Sequence, residues 1–200
     1  MRFWRRASSR AATPATASAE EARAATDGVV LDLADLVTRR CEVWQPRFRA
    51  RGKSLEVTVE PVAVAGAADE LALVLDALLS NAMRFSDHGD HVCVVLRLVG
   101  EGALLEVSDT GIGMLPEEMG KVFDRFYRGS LGRDRALGGS GLGLTIAREL
   151  ARAHRGDISC DSVAGEGSAF RLRLPAAAPV RRRSDRKVVT RRLAVTLQAG

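Results

Sequence analysis

The chain has 200 residues, enough for one domain with a proper core and little beyond it. Its 46% apolar and 28% charged content is globular, not disordered or fibrous. The net charge of +5 sits at the ends: residues 1–30 carry five arginines against three acids and residues 175–200 seven bases against one aspartate, which leaves the middle with 18 bases and 21 acids. The basic balance is therefore no argument for a nucleic-acid-binding fold, and none is expected. Cys41, Cys93 and Cys160 are odd in number, far apart and without ligand spacing. That argues against a disulfide scaffold and fits a reducing compartment. No apolar run reaches the roughly 18 residues of a membrane span. The start, "MRFWRRASSR", lacks the apolar stretch of a signal peptide. A cytoplasmic location is the expectation.

In chain order, residues 7–26 are rich in Ala, Ser, Thr and Glu, so residues 1–29 read as a disordered or frayed linker. Leu33, Val37, Cys41, Trp44 and Phe48 recur at steps of four and three. They predict an amphipathic helix ending near Arg51-Gly52, interrupted or kinked at Pro46. Leu55, Val57 and Val59 alternate as a strand, and 61–68 reads as a connection. A stronger helix follows, with Leu71, Val74, Leu75, Leu78, Leu79, Ala82 and Phe85 on one face. Two alternating runs, Val92–Leu98 and Ala103–Val107, flank Gly100-Glu101-Gly102 and predict a hairpin. From Asp109 to Gly143 the chain is glycine-rich and polar, apart from a helical piece around 117–123. A last helix spans Leu142–His154, and two strands, at Ile158 and at Ser168–Leu174, flank a turn at 165–167. This order predicts an α+β fold, a two-layer sandwich with helices on one face of a mixed, mainly antiparallel sheet. The domain is expected over 30–175, with a disordered basic tail over 176–200.

Four stretches carry chemistry. In "LLSNAMRFS", Asn81 faces Arg84 one turn on. Asn81 is either a helix-surface side chain or an oxygen ligand for a hard cation such as Mg²⁺ that also holds phosphate. Arg84 has the forked donor that suits a phosphate. In "SDTGIGM", Asp109 ends a strand, and Gly111 and Gly113 allow a tight turn close to a flat ligand. The alternative is an ordinary Asp-initiated turn. In "GGSGLGLTIAREL", glycines open directly into a helix, whose free N–H groups suit an anion. No Lys-Ser/Thr pair follows, so this is not a Walker A loop. Between them stands "FDRFYR", residues 123–128, within a connection of about 24 residues, a length typical of lids and binding loops. Phe123 and Phe126 are placed to pin such a lid to the body.

Taken in this order, the four stretches resemble the ATP-binding catalytic domain of sensor histidine kinases. That domain belongs to a superfamily that also holds type II topoisomerases, the 90-kDa heat-shock ATPase, mismatch-repair ATPases and anti-sigma kinases. "LLSNAMRFS" resembles the N box, "DTGIGM" the G1 box, "FDRFYR" the F box and "GGSGLGL" the G2 box. The F box favours the histidine-kinase branch. The resemblance covers about Val30 to Pro175 and implies a Bergerat-type ATP-binding fold. It implies that Asn81 holds Mg²⁺, that Arg84 touches phosphate and that Phe85 lies beside the nucleotide. Asp109 would read the adenine amino group above the Gly111–Gly113 turn. Gly139, Gly141 and Gly143 would form the lid's hinge and phosphate-facing backbone, with Phe126 and Leu142 in the same nucleotide-binding set. The implied reaction moves the γ-phosphoryl group of ATP, with Mg²⁺, to a histidine.

The sequence departs from that pattern at two places. Position 77 is Ala, where histidine kinases usually carry a second Asn and the ATPases a Glu. Asp76 is adjacent but about 100° round the helix, so it is not expected to substitute. The family's acceptor histidine sits on a two-helix dimerisation domain, and nothing here resembles it. His88, His91 and His154 read as surface or helix-end residues. His154 matches the family's H-G-G position, with Arg155 in place of the first glycine. The resemblance thus implies a separate or missing dimerisation domain and a response regulator as partners, the chain reading as a fragment, a truncated frame or a stand-alone partner acting in trans. The isolated chain is expected to be monomeric. The rival readings are a non-catalytic nucleotide-binding regulatory module and a stand-alone serine kinase of the anti-sigma type.

Overall fold

The computed structural model describes residues 29–129 and 140–177. Residues 1–28 of the expected linker, 178–200 of the expected tail, and Gly139 lie outside the described residues; Ala176 and Ala177, expected in the tail, are paired with Val64 and Ala63. Strand β1 (Val30–Asp32) leads into helix α1 (Leu33–Ala50), followed by β2 (Ser54–Val59), β3 (Ala63–Ala65) and helix α2 (Ala68–Phe85). The hairpin β4 (His91–Val99) and β5 (Gly102–Asp109) comes next, then the one-turn helix α3 (Pro116–Met119). Helix α4 (Gly143–Ala153) and the hairpin β6 (Asp157–Val163) and β7 (Gly167–Pro175) complete the domain.

The main sheet has the order β2-β4-β5-β7-β6, with β2 parallel to β4 and every other pair antiparallel. The single parallel pair follows from α2, which crosses over between β2 and β4. Period-two alternation puts Leu55, Val57, Val94, Leu96, Leu105, Val107, Phe170 and Leu172 on one face, all buried. Three helices cover that face. Leu36, Val37, Cys41, Trp44 and Phe48 come from α1, Leu71 to Met83 from α2, and Ala147 and Ala151 from α4. The opposite face carries charge, including the ladder in which Arg171 pairs with Glu106 and Asp161. This is the two-layer α+β sandwich that the patterning predicts.

Three details differ from expectation. Residues 63–65, expected within a connection, pair with Val30–Asp32 as a small second sheet. Three-residue strands are too short to show alternation. Helix α1 is continuous through Pro46, because Trp44 and Phe48 are buried on either side of it and hold both halves to the core. The helical piece expected near 117–123 is one turn of α-helix, with Glu118 Oε2 accepting from the Leu115 N–H, followed by turns. Arg155 sits at φ 60°, a left-handed conformation that side chains rarely adopt and that a glycine takes without strain.

Candidate functional site

Helix α2 builds one wall. Its buried stripe faces the sheet, and Ala77, Ser80, Asn81 and Arg84 lie along the other side, beside a cavity of about 200 Å³. The helix is tied down along its length. At its start the Ala67 N–H, which has no side-chain cap of its own, donates to His154 Nε2 at 3.1 Å. In its middle Asp76 Oδ1 accepts from Trp44 Nε1 at 2.8 Å and from Arg40 Nε at 3.0 Å. At its end Lys53 Nζ donates to the carbonyls of Met83 and Ser86, at 2.6 and 2.5 Å. Asp76 is thus committed to α1, and His154 serves as a helix cap. At position 77 the cavity meets only a methyl group.

The floor comes from the end of β5. Asp109 is buried; its Oδ1 accepts from the Gly111 N–H at 3.0 Å, while Oδ2 is buried without a hydrogen-bond partner among the described residues. Burial pushes its carboxyl up to about 6, and the backbone N–H groups of Gly111 and Ser168 offset only part of that. A buried acceptor left open costs free energy unless something fills it, which makes Oδ2 a ready seat for a ligand N–H. The turn after it is clamped from two sides. The Ile112 N–H donates to Phe85 O at 2.9 Å, and the Ile112 carbonyl accepts from the Gly165 N–H at 2.8 Å. Gly113 sits at φ 63°, and a Cβ there would lie 1.9 Å from the Val163 carbonyl oxygen, so only glycine fits.

The third wall is the glycine-flanked segment. Phe123 packs edge-on against Phe170, with centroids 6.4 Å apart, under the Arg148 guanidinium at 4.5 Å. Its carbonyl accepts from Thr145 Oγ1 at 2.8 Å, which ties the segment to α4. Phe126, expected to be the second pin, is instead 71% exposed. Its positive φ of 63° turns the side chain outward, and its backbone N–H makes the tie, donating to Gly141 O at 3.1 Å. Gly141, at φ 68°, allows that approach, since a Cβ there would be 2.8 Å from the Phe126 backbone. Helix α4 then opens at Gly143 with no side-chain cap. Gly143 and Leu144 both line the cavity, so the start of that helix faces it.

Of the expected residues, Asn81, Arg84, Phe85, Gly113, Gly141 and Gly143 line one cavity. Asp109 lies behind it, paired across β5 and β7 with the lining residue Ser168, and Gly111 packs against the backbone of the lining residue Phe85. Phe126 and Leu142 are not among the lining residues. The sequence reading missed Ile112, Met114, Val122 and Leu144, which give apolar walls suited to a flat ring, and Tyr127, Arg128 and Ser168. Ile112 and Arg128 stood inside stretches already singled out. Ser168 becomes visible only through strand register.

A two-layer sandwich with a buried, unsatisfied carboxylate beneath a glycine turn and an uncapped helix across the cavity defines a nucleotide-binding ATPase-type domain. Residues 66–178 match the family described as histidine kinase-, DNA gyrase B-, and HSP90-like ATPase, and the chain belongs to that family. It is 46% identical over 109 residues to the sensor histidine kinase WalK of Bacillus subtilis, covering 54% of this chain and 18% of WalK. It is 45% identical over 106 residues to the sensor-like histidine kinase SenX3 of Mycobacterium bovis, covering 53% of this chain and 26% of SenX3. The chain thus spans about a quarter or less of the length of these relatives. The fold is similar to the mycobacterial sensor histidine kinase MprB, with TM-score 0.68 and 30% identity over 74% of this chain and 98% of that one. Full-length ShkA in complex with AMPPNP shares the fold at TM-score 0.67 and 23% identity, covering 76% of this chain and 31% of that one. The domain is therefore of the histidine-kinase catalytic type. Among the described residues no helix is long and apolar enough to cross a membrane.

Proposed function

We propose that the chain binds ATP and Mg²⁺ in this cavity and transfers the γ-phosphoryl group to a histidine on a separate dimerisation domain, as the catalytic domain of a two-component sensor histidine kinase. The observation that carries this reading is Asp109 Oδ2, a buried acceptor with no hydrogen-bond partner among the described residues, just behind the cavity wall at Ser168; we read it as the acceptor for an exocyclic adenine amine. The apolar walls at Ile112 and Leu144 flank the ring, and Phe85 stands beside it.

At the phosphate end, Asn81 offers a carbonyl oxygen, Arg84 a guanidinium fork and α4 its free N–H groups. Mg²⁺ seldom takes an all-protein cage and binds through a few protein oxygens plus phosphates and water, so one asparagine fits it. When bound, it supplies charge neutralisation on the phosphate oxygens. The chain's own residues orient the phosphates, and their backbone donors need no reorganisation as charge develops. With Ala77 in place and Asp76 held by Trp44 and Arg40, no side chain at that turn assists the metal or activates water. The reading therefore favours transfer to a positioned acceptor over hydrolysis.

The test is a calorimetric titration with ATP and Mg²⁺, followed by transfer from γ-labelled ATP to separately produced histidine-containing dimerisation domains. Asp109→Asn and Gly141→Ala are each expected to weaken ATP binding at least ten-fold, about 1.4 kcal/mol. Unchanged affinity in both variants would remove the site assignment. ATP binding without transfer to any acceptor supplied would leave only a nucleotide-binding module.

A further inference from the structure

A second concavity, of about 860 Å³, lies between the C-terminal halves of α1 and α2. Trp44, Arg47, Arg51 and Lys53 line it on one side, Ser80 and Arg84 on the other, and the last two also line the first cavity. Arg47, Arg51 and Arg84 make no ion pair among the described residues, and the one carboxylate at the rim is Asp87. Lys53 adds a fourth charge from beneath, and burial and the neighbouring Arg51 hold its ammonium below the usual lysine range. Folding thus gathers four cations round one groove whose lining supplies a single carboxylate, Asp87.

The shape of the groove decides what kind of anion suits it. Arg47 lies in the last turn of α1, Arg51 is the residue that caps it, and Arg84 stands in the last turn of α2, so the three forks reach the groove from separate points of the backbone. A single phosphate fills one or two forks. No platform for a base is available: Trp44 is buried, its Nε1 is bonded to Asp76, and the Arg47 guanidinium lies 4.9 Å from its ring centre.

We infer that the groove between α1 and α2 docks a carboxylate-rich segment of a partner protein, with Arg47 and Arg51 as its main contacts and Arg84 as the link to the neighbouring cavity. If the nucleotide reading holds, phosphates at Arg84 and carboxylates in the groove compete for the same fork. Nucleotide and acidic segment then weaken each other's binding by an equal factor.

The test uses the full chain and a fluorescein-labelled octaglutamate peptide at low salt, read by anisotropy and by amide chemical shifts. The first measurement omits nucleotide, so a failed nucleotide site leaves it intact. The amides of residues 47, 51 and 84 are expected to shift. Arg47→Gln with Arg51→Gln is expected to weaken the peptide about ten-fold, from the worth of two exposed charge pairs, with ATP affinity unchanged. Arg97→Gln with Arg173→Gln, on the far face of the sheet, controls for general charge and is expected to change nothing. Unchanged affinity in the groove variant, or shifts confined to the basic residues 181–192, would overturn the assignment. So would tripolyphosphate shifting the groove amides where octaglutamate does not, since that marks a phosphate site. Added AMPPNP tests only the competition at Arg84.

Discussion

Replacing Asp109 with Asn separates what the carboxylate does for a ligand from what it does to the fold. Its carboxyl rises from the ordinary 3.8 to about 6, chiefly through burial. The folded chain therefore holds this proton more tightly than the unfolded chain. Stability falls as pH rises from about 4 to about 6, and above that the cost of the buried charge is complete. The shift corresponds to about 3 kcal/mol at neutral pH. Asn keeps the Gly111 contact through its carbonyl but buries an NH₂ without a partner, which costs about 1 kcal/mol. Asp109→Asn is thus expected to stabilise the ligand-free protein by about 2 kcal/mol at pH 7.5, or about 4–8 °C in Tm for a domain of this size. By pH 4, where the folded wild-type carboxyl is already protonated, the gain should be gone and only the amide's cost of up to about 1 kcal/mol should remain. Thermal unfolding at the two pH values checks both statements. A variant less stable than wild type at pH 7.5, or a gain of equal size at pH 4, would refute the argument.

Other substitutions probe the supports of the site. Phe123→Ala should cost about 3 kcal/mol in denaturant unfolding, because it removes the contacts with Phe170 and Arg148, whereas Phe126→Ala should cost less than about 0.5 kcal/mol. Equal effects would contradict the one-pin stem. Asp76→Ala strands Trp44 Nε1 and the Arg40 guanidinium and should destabilise by about 2 kcal/mol; a neutral result would mean that this tie does not hold α2 in place. Gly113→Ala should cost more than about 2 kcal/mol through its clash with Val163 and its left-handed φ, and Tm measurement would show it. Ala77→Asn places an amide one turn before Asn81 and, on the proposed reading, should raise the rate of transfer from γ-labelled ATP without tightening ATP binding.

The legible parts of this chain were those in which one residue type answers one local demand. The α2 stripe, the β4–β5 hairpin and the paired glycines at 111 and 113 are visible because helix period, strand period and tight turns leave short-range marks. Phe126 was misread because spacing reports proximity along a helix, whereas its positive φ inverts the side chain. Ser168 and Lys53 escaped because each acts across the fold, one through strand register and the other through two carbonyls about thirty residues away in sequence. The role of Asp76 was likewise legible only by exclusion: its angle on the helix kept it from the cavity, but its bonds to α1 needed coordinates.

The central claim, that nucleotide occupies the cavity between α2, the Asp109 turn and α4, is tested most directly by amide chemical-shift mapping with AMPPNP and Mg²⁺. The account predicts large shifts at Asn81, Gly111, Gly113, Gly141 and Gly143, with small ones on β2 and at the far ends of the strands. Saturating nucleotide that leaves those five amides unmoved would contradict it.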